Sequence, residues 1–95
     1  MNAISYKRIR EFAQSHPDAE SPLNAWYKTA KKANWQHLVE VKEVYPHADL
    51  VGRFTVFNVG GNKYRLITEI NYQYQQILIR HILTHEEYDK DDWKT

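Results

Sequence analysis

Apolar positions in the first half of the chain recur at helical spacing. Tyr6, Ile9, Phe12 and Ala13 form one stripe, with Ser5 placed to cap a helix that runs to about Ser15 and Pro17 placed to stop it. Ser21-Pro22 is a second start signal, because proline suits the first helical turn. Leu23, Trp26, Tyr27, Ala30 and Ala33 continue that helix, with Lys28, Lys31 and Lys32 mainly on the opposite side. A shorter third helix is predicted from Asn34 through Leu38, Val41 and Tyr45, ending at Pro46.

The period then changes. Phe54 to Val59 and Tyr64 to Ile70 are rich in β-branched and aromatic residues, and Gly60-Gly61-Asn62 between them reads as a hairpin turn. Ile77 to Leu83 is a third strand, with Asn71 to Gln76 as the connection; Glu86 to Thr95 forms a helical turn or a frayed tail. Helices followed by an antiparallel meander predict an α+β fold, with N-terminal helices packed on one face of a small antiparallel sheet.

Composition narrows the classes. Ninety-five residues make one domain with a modest core. The 42% apolar and 26% charged shares are ordinary for a soluble globular protein. The absence of cysteine excludes a disulfide framework, a thiolate metal site and a cysteine nucleophile, and fits a reducing, cytoplasmic setting. No apolar run suggests a signal peptide or a membrane span. The net charge of +1 hides an asymmetry: residues 1–80 hold eleven Lys/Arg against seven Asp/Glu, and residues 81–95 hold two against five. A basic body with an acidic tail suits a polyanion binder, although an ordinary solvated surface gives the same count.

Three ordered motifs then carry a resemblance. Phe57-Asn58-Val59-Gly60-Gly61-Asn62-Lys63-Tyr64-Arg65-Leu66-Ile67 resembles the central signature of HigB-type toxins. Val44-Tyr45-Pro46-His47-Ala48-Asp49 resembles that family's Pro-x-x-Asp segment, and Thr84-His85-Glu86-Glu87-Tyr88-Asp89-Lys90 its closing motif. The resemblance implies a RelE/ParE-like fold and the toxin part of a type II toxin–antitoxin system. It implies an mRNA interferase that cuts messenger RNA, usually on the translating ribosome. The implied partners are a HigA-type helix-turn-helix antitoxin, mRNA, ribosomal RNA and, through the antitoxin, operator DNA; no membrane is implied.

The candidate chemistry uses the RNA's own 2′-hydroxyl as nucleophile, so the protein must align attack, move protons and neutralise charge, and no metal or other cofactor is called for. Arg65 is the first candidate: its fork grips a phosphate, and RelE-like relatives place an arginine at this strand position. A surface ion pair with Glu69, on the same strand face, is the competing reading. His85 is a candidate acid or base, and Tyr88, three residues on, can stack on a base or orient a proton. The alternative for these two is an exposed His85 and a Tyr88 packed on the sheet beneath a last turn capped by Thr84. RelE's paired lysines have no counterpart, because Val56 and Asn58 stand there, so His85, Lys63 or Lys42 would supply the base. Lys63, Lys42, Lys28, Lys31 and Lys32 are candidate RNA contacts or ordinary solvated lysines. Asn62 reads as structural, tolerating positive φ in the turn. His81 and Arg80 are weaker candidates, and His81 with His85 lacks the geometry of a metal pair. A ParE-like toxin acting on a topoisomerase, or an inactive RNA-binding partner and co-repressor, shares the fold and remains a competing reading.

Overall fold

The amphipathic first helix needs a surface to bury Ile9 and Ala13, and a five-stranded sheet supplies it. The computed structural model describes residues 1–94. Strand β1 (Asn2–Ile4) leads into helix α1 (Tyr6–Ser15), a 3₁₀ turn (Pro17–Ala19), helix α2 (Glu20–Lys32) and helix α3 (Leu38–Val44). Strands β2 (Asp49–Val51), β3 (Phe54–Val59), β4 (Tyr64–Asn71) and β5 (Gln76–Thr84) follow, then helix α4 (His85–Asp89) and a closing 3₁₀ turn (Asp92–Lys94).

The α+β class and the β3–β4–β5 meander are as expected, but the sheet is mixed and runs β1-β5-β4-β3-β2. Its two outer strands were not anticipated. β1 pairs in parallel with β5, Ala3 opposite Ile77, and β2 pairs antiparallel with β3, Leu50 opposite Thr55. Each is three residues long and too short to display a period of its own.

Several boundaries differ for local reasons. Ser5 precedes α1 but adopts a left-handed φ of 80° and makes no side-chain cap bond. Pro17 opens the 3₁₀ turn instead of simply ending α1. Pro22 sits inside the first turn of α2, where its missing N–H has no helical acceptor to lose. The third helix begins at Leu38 and not at Asn34. In the hairpin the positive φ angles fall on Gly60 and Gly61, at 66° and 70°, and not on Asn62. A Cβ at Gly60 would also meet the Tyr64 ring at 3.3 Å, so this glycine is needed twice over.

Strand alternation divides the side chains between two layers. Phe57, Val59, Tyr64, Leu66, Ile77 and Ile79 join Ile9, Leu23, Trp26 and Val41 in the main core under the helices. On the other face Phe54, Val56 and Ile67 form a second, smaller cluster closed by Trp93, with Leu83 and Tyr88 packed against it. Of the tail expected as a helical turn or a frayed end, the residues up to Lys94 form helical turns and are anchored, Thr95 lying outside the described residues: Trp93 is only 5% exposed, and its indole N–H donates to the Tyr88 carbonyl at 2.9 Å. This second face carries the candidate chemistry. Among the described residues no helix is long and apolar enough to cross a membrane.

Candidate active site

The hairpin end of the sheet gathers the motif residues because strands and turn converge there. Tyr64 lies opposite Thr84, and Arg65 lies between Asn58 on β3 and Leu83 on β5. Thr84 starts α4 with a capping box: its hydroxyl accepts from the Glu87 N–H at 3.2 Å, and its own N–H donates to the Glu87 carboxylate at 2.9 Å. The His85 N–H donates to the Lys63 carbonyl at 3.0 Å, which ties α4 to the hairpin turn.

Arg65 points away from the helices. One Nη donates to the carbonyls of Asn62 at 3.1 Å and Tyr64 at 3.3 Å, and the guanidinium lies over the Tyr88 ring, 5.4 Å from its centre. It does not pair with Glu69. That carboxylate is engaged by Arg53 at 3.3 Å and Arg80 at 3.1 Å. A β-bulge makes the second contact: Ile67 pairs with His81 and Thr68 with Ile79, so Arg80 is the extra residue of β5.

Tyr88 stacks on Trp93 with ring centres 5.0 Å apart and planes 15° from parallel. The same Tyr88 ring therefore meets both the Trp93 indole and the Arg65 guanidinium. His85 is exposed, its Nδ1 3.1 Å from the Asp89 carboxylate. It borders a shallow cleft with His16, Asp18, Lys63, Tyr64, Thr84 and Glu86. Arg65 and Tyr88 are thus in contact, and His85 stands beside them across the first turn of α4.

Lys63 is held by Asp18 at 3.1 Å, and the Tyr64 hydroxyl donates to the same carboxylate at 2.6 Å. The Tyr64 hydroxyl, and after it the Lys63 ammonium, keep the Asp18 carboxyl below its ordinary range, while Asp18 raises the Tyr64 phenol. A depressed folded-state pKa stabilises the fold above the unfolded-state value and loses that effect as pH falls through the folded value. In urea unfolding, the stability gap between wild type and Asp18→Asn should hold steady from neutral pH to about pH 4 and shrink on further acidification. A gap that persists unchanged in acid would mean that the contact does not depend on charge.

The remaining lysines stand apart from Arg65. Lys28, Lys31 and Lys32 are exposed on α2, in the helical layer on the far side of the sheet, where Lys31 lies over the Tyr27 ring at 5.4 Å. Lys42 is exposed in the last turn of α3. Among the described residues no group of three or more His, Cys, Asp or Glu side chains is placed to hold a metal ion.

The family model for the HigB toxin, the RelE-like toxic component of a toxin–antitoxin system, matches residues 19–91. The chain belongs to the HigB toxin family. It is 32% identical over 92 residues to the mRNA interferase toxin HigB of Escherichia coli strain K12, covering 94% of this chain and 88% of that one. The mRNA interferase HigB of Shigella flexneri matches to the same extent, and that of Escherichia coli O6:H1 is 30% identical over 93 residues, with 95% and 90% covered. In this HigB-family chain Val56 is buried in the second cluster, and Asn58 stands across from Arg65. Sequence reasoning missed Trp93, which lies beyond the segment the family model matches. An indole in an acidic, otherwise polar tail was the available signal.

Proposed function

We propose that this HigB-family toxin cleaves messenger RNA by 2′-hydroxyl attack, with Arg65, Tyr88 and His85 at the reacting phosphate. The observation that carries the reading is the Arg65 guanidinium poised over Tyr88 at 5.4 Å on the open sheet face. The 2′-oxygen attacks the adjacent phosphorus, the 5′-oxygen leaves, and a cyclic phosphate remains. Arg65 neutralises charge that builds on the phosphate oxygens through its fork. His85, exposed and held by Asp89 at 3.1 Å, removes or returns a proton. Tyr88 holds the guanidinium in place from below.

Lys63 tops the hairpin turn next to His85 and meets the backbone of the same RNA once it leaves Asp18. Lys28, Lys31 and Lys32, with Lys42, face outward on the helical layer and contact ribosomal RNA phosphates without reading sequence. A cytoplasmic toxin of this kind is silenced by an antitoxin of the HigA helix-turn-helix type, which carries the complex to operator DNA. The names of the relatives, mRNA interferase, support the substrate.

Brief expression without antitoxin should arrest growth and create new mRNA 5′ ends inside coding regions. Blocking translation should suppress those ends if the ribosome presents the substrate. Intact transcripts during a full arrest would reject the nuclease reading in favour of a toxin that acts by binding another target.

A further inference from the structure

Next to the Arg65–Tyr88–Trp93 stack the open face holds a depression of about 370 Å³. Its walls are His81, Leu83, Glu87, Lys90, Asp92 and Trp93. It is continuous with the candidate site: Leu83 is the cross-strand partner of Arg65, and Trp93 is the ring beneath Tyr88. His81 precedes Leu83 by two residues on β5, so it lies on the same face about 6.8 Å further from the hairpin end. That step is comparable to the spacing of neighbouring nucleotides in an extended strand.

The lining selects its ligand. Leu83 and the Trp93 indole give apolar contact suited to a flat ring. Glu87 and Asp92 carry negative charge, which repels a phosphate, and an ionised carboxylate can only accept hydrogen bonds. Burial, then the nearby charges of Arg8 and Arg80, push His81 below its ordinary pKa and so favour the neutral imidazole, which has one donor and one acceptor. The site therefore calls for an uncharged aromatic ring whose edge presents N–H groups. Adenine, cytosine and guanine carry an exocyclic amino group; uracil offers one N–H between two carbonyls.

We propose that this depression is a nucleobase subsite for an amino-bearing base next to the scissile phosphate, with Glu87 accepting from the amino group and His81 bonding the same edge. Lys90 stands at the rim, placed for the backbone that flanks the base. The proposal rests on the ribonuclease reading and adds to it a source of sequence preference.

The test is single-turnover cleavage of short messenger RNAs that differ at one nucleotide flanking the cut. That position carries adenine, cytosine, guanine, uracil or unsubstituted purine, which keeps the purine ring and lacks the amino group. The wild-type protein should cut the adenine RNA about 10- to 100-fold faster than the purine RNA, the value of a hydrogen bond to a charged group. In Glu87→Gln and in His81→Leu that ratio should fall toward one. Glutamine keeps the capping box with Thr84, and a ratio within one variant is insensitive to how much of it is folded. Equal rates on all five RNAs, or a preference the two variants leave unchanged, would overturn the subsite while leaving the ribonuclease reading standing. No cleavage of any of the RNAs, free or on ribosomes, would overturn both.

Discussion

Replacing Arg65 with alanine should lower RNA cleavage by about 10²–10³-fold, the usual cost of removing one group aimed at charge that develops in the transition state. The fold should survive. Arg65 is half-buried, and its polar contacts are to the Asn62 and Tyr64 carbonyls at the sheet end, not to the core. The Glu69 carboxylate loses nothing, since Arg53 and Arg80 hold it. Thermal unfolding and antitoxin binding should therefore stay near wild type while toxicity disappears. Arg65→Lys should recover only part of the rate, because a point charge cannot supply two parallel hydrogen bonds or lie flat over Tyr88. A soluble, fully toxic alanine variant would remove Arg65 from the mechanism.

Tyr88 gives the second large effect, and its two substitutions separate the possible roles. With Trp93 stacked on it and Arg65 over the same ring, Tyr88 is placed to serve first as a platform for the guanidinium. Tyr88→Ala removes the platform, and displacing a reacting group by about 1 Å can cost about 10²-fold. Tyr88→Phe keeps both ring contacts and should stay within a few-fold of wild type. Equal loss in both variants would instead make the hydroxyl the working group. Full cleavage by Tyr88→Ala would place the reacting phosphate elsewhere. The stack with Trp93 is worth about 0.5–1.5 kcal/mol beyond area burial, so the alanine variant should also melt earlier, and the rate is best compared at a temperature where both are folded.

Much of the architecture was readable because its causes are local. Helical spacing in Tyr6 to Ala13 and Leu23 to Ala33, the Gly60-Gly61 turn and the β-branched runs on either side depend on residues close in sequence. The closing motif was legible as a helical turn because a Thr84–Glu87 capping box is itself local. Family membership was legible for a different reason: three motifs in a fixed order are a record of the whole chain.

What tertiary structure decided depends on partners far apart in sequence. Three residues of β1 become a strand only because the edge of β5, more than seventy positions away, offers its unpaired backbone groups in parallel register. Glu69 could have held Arg65 on spacing alone, until the hairpin of β2 with β3 and the bulge at Arg80 brought two other arginines to it. Lys63 was legible as a turn residue, but its ion pair with Asp18 exists only because the 3₁₀ turn packs against the hairpin. Trp93 follows the same logic: Tyr88 is its one aromatic neighbour in sequence, and the rest of its burial comes from Phe54, Val56 and Ile67 on the second face of the sheet. The sequence by itself therefore determined the longer elements, the family and the candidate side chains. Their contacts, Arg65 over the Tyr88 ring and His85 with Asp89, were left to packing, because a helix phase sets directions only after both ends of the turn are anchored.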